Sequence, residues 1–473
     1  MAALVAAIHD APHRTGTRGT QHPPRTPTTE ARLSKTPWTA VLLGALILLW
    51  PAAWNGYPIV FSDTGTYLSQ AIEHYLGWDR PPVYSLFMLP LHLRLSTWPV
   101  VAVQALLASH TIALAWRCFA TPDPATPAAG PRLIFLLLLL AAASWLPWLV
   151  CDLTPDLFTP LLVLALAMMV VTPDRLRPSE RIWVAMFAGF MIATQLSSLP
   201  LAAALLLVLL PLRRRLGGAG RVRWGLALAP PVLAMAGLVA INLAGHGRAA
   251  ISPYGNVFLL ARVIYDGPGM AVLQRDCPAA GWRLCTTLDA FPPDSDGFLW
   301  RADSPVQRAG GHKIVSAEAN AIILAALRAD PIGMAGSFAG NWGRQLVLVA
   351  SGDGLEPWPA TVAPVIRRHF PGAEVEAYAQ SRQARGILAV PATLARLHVV
   401  LGAAGLVLCL LRLPNLVRTR DPLAGLVVAV VVALLAGAAI TGGLSMPHDR
   451  YQARLMWLPA CAALLLLLRP ASR

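Results

Sequence analysis

Apolar stretches of about 20 residues recur along most of this 473-residue chain, and they constrain its fold more than any motif does. A run of that length crosses the hydrocarbon of a bilayer as a helix, which satisfies its own backbone hydrogen bonds where no water can. Only 13% of the residues are charged, against about 25% in soluble domains. The chain therefore reads as an all-α polytopic membrane protein.

Spans are expected at about 38–54, 98–118, 132–150, 155–171, 224–244, 389–412, 422–441 and 451–468. Two short ones are expected inside 181–212, divided by Gln195-Leu196-Ser197-Ser198, which gives about ten. His92 and Arg94 interrupt the run that begins at Val83, so an interfacial segment is expected before the second crossing. Pro331–Ala350 is apolar, but Asn341, Arg344 and Gln345 are costly at a bilayer centre, and it is not counted as a span.

Arg213, Arg214, Arg215, Arg221 and Arg223 form the strongest basic cluster between apolar runs. With parity, it places both termini in the cytoplasm of a cell with this chain in its inner (plasma) membrane. The same bias accounts for the formal net charge of +14 without a nucleic-acid partner. The organisation expected is a disordered cytoplasmic tail (1–35) and an N-terminal transmembrane module (36–244) with a first outer loop at 55–82. A small extracytoplasmic (periplasmic) α-containing domain (245–388) and C-terminal helices (389–473) follow. Cys118, Cys151, Cys409 and Cys461 lie in or beside apolar runs as packing residues. Cys277 and Cys285 share a polar loop, where a disulfide needs an oxidising compartment.

In the first outer loop, Leu68, Ala71, Ile72, Tyr75 and Leu76 form one helical stripe, with Ser69, Gln70, Glu73 and His74 opposite. This predicts a short helix lying in the membrane surface with Asp63 at its start. Asp63 then serves as a catalytic base at the boundary, accepting a proton from an attacking hydroxyl; the plainer role is that Ser62 or Asp63 caps the helix. Asp152 and Asp156 flank the turn between spans three and four, where Thr154, Pro155 and Asp156 also fit a helix start. Arg80 and Arg450 sit at interfacial positions, either snorkelling or binding a lipid-linked phosphate or pyrophosphate. His448, Asp449 and Arg454 assist there or are solvated. The chain has no Walker loop, strand-associated GxGxxG or HExxH motif.

Taken together, these residues resemble the GT-C superfamily of polytopic glycosyltransferases, among them bacterial aminoarabinose transferases and protein O-mannosyltransferases. The resemblance rests on the acid in FSDTGTYL, the DRPPVYSLF that closes the loop, the acid in TPDLFTPLLVLAL and the Arg-Tyr pair in DRYQARLMWLP. It departs where Thr64 follows Asp63 in place of a second acid, and where QLSSLP replaces the family's frequent Lys-Gly-Pro. The resemblance implies an inverting transfer from a polyprenyl-phosphate sugar to a hydroxyl of a lipid, glycan or protein acceptor. Asp63 would be catalytic with Asp156 and Asp152 beside it, and Arg80, Arg450 and Tyr451 would bind the donor phosphate. No cofactor is assigned, and a divalent metal shared by Asp63 and Asp156 is compatible with it. The chemically close alternatives are a polysaccharide polymerase or ligase and a lipid or glycan flippase or transporter. A flippase or transporter calls for a polar path at mid-membrane, where charge is sparse.

Overall fold

The computed structural model describes residues 35–121 and 130–469. The tail assigned to 1–35 (save Lys35), most of the Pro/Ala-rich loop after span two and the last four residues lie outside them. Among the described residues every named element is a helix; the one extended pairing is an isolated parallel bridge between Ile59 and Asp152.

Five helices among the described residues are long and apolar enough to cross a membrane: Trp38–Asn55, Trp98–Phe119, Trp224–His246, Ala392–Arg418 and Leu423–Leu444. Two sharply bent pairs, Asn256–Asp266 with Gly269–Asp276 and His312–Ala329 with Pro331–Val347, raise that number to seven if each is one span. This is consistent with a multi-pass membrane protein. The remaining expected spans fall on shorter helices: Gly130–Ala143, Phe158–Val171, Pro178–Thr194, Ser198–Leu212 and Trp457–Leu467.

Phe158–Val171 occupies the centre, with all 14 residues buried. It packs against Trp98–Phe119, Pro178–Thr194, Ser198–Leu212 and Leu423–Leu444, as a helix apolar on every side must. Backbones approach closely where side chains are absent: a Cβ on Gly405 would lie 2.8 Å from the carbonyl oxygen of Pro459, seating Ala392–Arg418 on Trp457–Leu467. At one end of the bundle, arginines close helix C-termini, whose last carbonyls lack intrahelical partners. Arg213 donates from Nε to the Val170 carbonyl at 2.7 Å, and Arg175 donates to those of Cys118 and Thr121 at 3.0 and 2.9 Å.

The polar region before Ala392 packs in two pieces. Tyr254, Val257, Leu260, Phe298 and Ile322 form a core of their own, and Cys277 and Cys285 are joined by a disulfide. Leu355, Val362, Ile366 and Tyr378 belong instead to the main core. Between the two pieces, Pro331–Val347 packs along the C-terminal half of Leu423–Leu444, where Trp342 donates to the Leu435 carbonyl at 3.0 Å, and buries Asn341 and Gln345 against Gly442.

The first-loop helix is present as Thr64–Glu73, but two expectations for it need correction. It ends at Glu73 because His74 turns left-handed at φ 55°, so Tyr75 and Leu76 lie beyond it. It is also packed inside protein and not laid on a membrane surface: Ser69 and Gln70, assigned to the open side, are 6% and 1% exposed. Two segments cover it: Ala363–His369 with the residues just before it, where a Cβ on Gly65 would lie 2.0 Å from the Thr361 carbonyl oxygen, and the turn after Glu73, where the Gly77 amide donates to Gln70 at 2.9 Å.

Candidate functional site

The site lies at the end of the bundle opposite the arginine-capped one, and backbone register builds it. Ile59 donates to the Cys151 carbonyl at 2.8 Å and accepts from Leu153 at 2.9 Å, which brings the first loop alongside the turn holding Asp152 and Asp156. Gln104 fixes that turn by donating to the carbonyls of Val150 and Asp152, both at 2.9 Å. Gln383, 1% exposed, clamps the loop from the other side. It accepts from the Val60 amide at 2.9 Å and donates to the Val60 carbonyl at 2.6 Å. Buried Glu374 accepts from Tyr57 at 2.9 Å and from the amide and hydroxyl of Thr97 at 2.7 and 2.8 Å.

Neither acid is spent on capping. Asp63 makes no cap hydrogen bond; the Phe61 amide bonds instead to the Thr64 hydroxyl at 2.9 Å. Thr154 likewise caps nothing and donates to Asp152 at 2.9 Å. The carboxylates turn toward guanidiniums. Asp63 meets Arg80 at 2.5 Å and Arg450 at 3.7 Å. Asp156 meets Arg450 at 2.6 Å and Arg454 at 2.8 Å, and accepts from Gln195 at 2.9 Å. Arg80 also pairs with Asp79. Arg450 lies over Phe61, 3.8 Å from the ring centre, and its amide donates to Asp353 at 3.0 Å.

Exposure separates two roles. The side chains of Asp63, Arg80 and Arg450 are 14%, 19% and 15% exposed, whereas those of Asp156 and Arg454 are 2%. A ligand can therefore reach the first three, while buried Asp156 holds Arg450 and is itself held by Arg454. Burial weighs against charge on Arg80, but Asp63 and Asp79 keep its guanidinium more firmly protonated than usual. Asp152 stands behind: burial first, then the charge of Asp156, push its carboxyl up to about 7. Tyr451 does not join the ion pairs; its ring is flanked by Arg450 and Arg454 at 5.8 and 5.5 Å.

The sequence readings of Asp63, Asp152, Asp156, Arg80 and Arg450 thus converge on one locus, with Tyr451 at its edge. Missed were Gln195, whose segment was read only as a divider between spans, and the clamps Gln383 and Glu374. Arg454 follows Arg450 at the i, i+4 spacing that places both on one helical face, a signal present in the sequence. A divalent ion shared by Asp63 and Asp156 does not fit the residues present. Arg450 stands between the two carboxylates, and no group of three His, Cys, Asp or Glu able to hold a metal occurs among the described residues.

No protein-family model, curated protein or solved structure matches the chain.

Proposed function

We propose that this chain is a membrane glycosyltransferase of the GT-C kind, moving a sugar from a polyprenyl-phosphate donor to an acceptor hydroxyl at the outer face of the plasma membrane. In this reading the shorter apolar helices complete about ten spans, both termini are cytoplasmic, and residues 245–388 are extracytoplasmic. The observation that carries it is the union of Asp63, Arg80, Asp156, Arg450 and Arg454 in one ion-pair network that is only partly open.

With three arginines facing Asp63, Asp79 and Asp156, the network is balanced in itself. A donor phosphate competes for the two accessible guanidiniums, Arg80 and Arg450, and so releases the carboxylate of Asp63. Asp63 then takes the proton of the acceptor hydroxyl. The acceptor oxygen bonds to the anomeric carbon as the carbon–oxygen bond to phosphate breaks. The bonding pair leaves on the phosphate oxygen, where the arginines hold its charge in a site with little water. One displacement inverts the configuration. Asp156 is a positioning residue that keeps Arg450 in place.

An apolar cleft of about 600 Å³ between Pro178–Thr194 and Trp224–His246 supplies a seat for the donor tail. Its wall residue Leu238 also borders the small recess lined by Asp79 and Arg80, so a lipid chain in the cleft ends at the Arg80 guanidinium. The test is transfer by membranes carrying the protein from synthetic polyprenyl-phosphate sugars, paired with mass spectra of envelope glycolipids with and without it. Transfer together with a protein-dependent mass shift of one sugar supports the reading; neither signal with any donor removes it.

A further inference from the structure

Between the helix Ser295–Trp300 and the loop that leads into Tyr451 lies a second cavity of about 90 Å³, lined by Phe258, Arg262, Asp296, Trp300, His448 and Tyr451 among others. At roughly 10–15 Å³ per water it has room for roughly six to nine waters, the space of one sugar ring. Its lining is the kind that binds carbohydrate: aromatic faces for the apolar side of a ring, charged groups for its hydroxyls. Arg262 lines it at 7% exposure, paired with Asp266 but with Nε lacking any hydrogen-bond partner. A desolvated guanidinium N–H costs stability unless something accepts from it, so this atom marks a place for an oxygen.

The cavity adjoins the ion-pair network at two points. Arg80 lies 5.5 Å from the centre of the Trp300 ring, and Tyr451 borders Arg450 and Arg454. Arg80 thus stands between the apolar cleft with its recess on one side and the aromatic cavity on the other. The order along the protein is apolar groove, guanidiniums, aromatic polar pocket. That is the order of tail, phosphate and sugar along a polyprenyl-phosphate sugar.

We propose that this cavity seats the donor's sugar ring, stacked on Trp300 or Tyr451, with Arg262 Nε donating to a ring oxygen and Asp296 accepting from hydroxyls. The inference rests on the donor reading above and adds the residues that select the sugar. A free phosphate fits less well, because Asp296 faces it, and a lipid tail would give Arg262 Nε no oxygen to donate to.

Equilibrium binding to the purified full chain tests it. The probes are a short-chain polyprenyl phosphate and the same phosphate carrying a pentose, a hexose or a hexuronate. One glycosylated probe is expected to bind about tenfold tighter than the bare phosphate, the scale of a charge-assisted hydrogen bond. Trp300→Ala and Arg262→Gln are expected to erase that preference, with Arg262→Gln leaving affinity for the bare phosphate within about twofold. Trp300 is 44% exposed, so its truncation tests the seat even if Arg262→Gln fails to fold. A sugar preference unchanged in Trp300→Ala overturns the seat. Bare phosphate binding with no sugar preference overturns the seat alone; no binding of any probe to the wild type overturns the donor reading with it.

Discussion

Asp156 is where a single atom group supports most of the site. Both of its oxygens are held, by Arg450, Arg454 and Gln195, at 2% exposure. Asp156→Ala takes the carboxylate from between two guanidiniums and leaves buried Arg454 without its ion-pair partner, and losing one partner of a buried pair costs about 3–5 kcal/mol. The variant is expected to melt well below the wild type in detergent; an unchanged melting temperature would show that Asp156 does not carry the network. Asp152 gives a pH signature instead. Its carboxyl is raised to about 7 from an ordinary value of about 3.9. A raised carboxyl stabilises the fold in its neutral form, fully below about pH 4, and that contribution is lost as pH rises through about 7. Between about pH 5 and 8 the wild type is therefore expected to lose melting temperature relative to Asp152→Asn. Parallel pH curves for the two proteins contradict this assignment.

At the scale of elements, the first-loop helix depends on residues about 300 positions away in sequence. A Cβ on Gly65 would lie 2.0 Å from the backbone oxygen of Thr361, which cannot swing aside as a side chain can. Gly65→Ala is expected to cost about 1–3 kcal/mol by overpacking and to lower activity by moving Asp63, two residues before it. Wild-type melting and transfer in this variant would show that the cover is loose. This dependence also explains what the sequence could and could not reveal. The long spans were legible because hydrophobic length is a local property. The break at His92 and Arg94 was legible too, and it appears as left-handed backbone at Leu93 and Arg94. The burial of Ser69 and Gln70 was not, since helical periodicity describes only the helix's own faces and says nothing of a second layer brought over it. Arg213 shows the same limit: its charge marked a loop, but its role as a partner for helix-end carbonyls needed the packed neighbours.

For the whole molecule, the acids and arginines at 63, 80, 156 and 450 could be chosen from the sequence because charge beside apolar runs is conspicuous. Gln195, which bonds to Asp156, and Gln383 and Glu374, which fix the first loop, could not, because uncharged or solitary polar residues acquire meaning only from what they face. Orientation gives the first test at this scale. Reporter fusions after Trp54 and Met446 are expected to read outside and one after Arg215 inside; opposite readings at Trp54 and Met446 would separate the halves of the site. The most direct test of the central claim is the rate of sugar transfer from a polyprenyl-phosphate donor by wild type and Asp63→Asn, compared at equal amounts of folded protein. The variant is predicted to lose about 100-fold or more, the scale of a missing general base. Transfer at the wild-type rate would contradict the account, since the carboxylate that faces both accessible guanidiniums would then play no part in the chemistry.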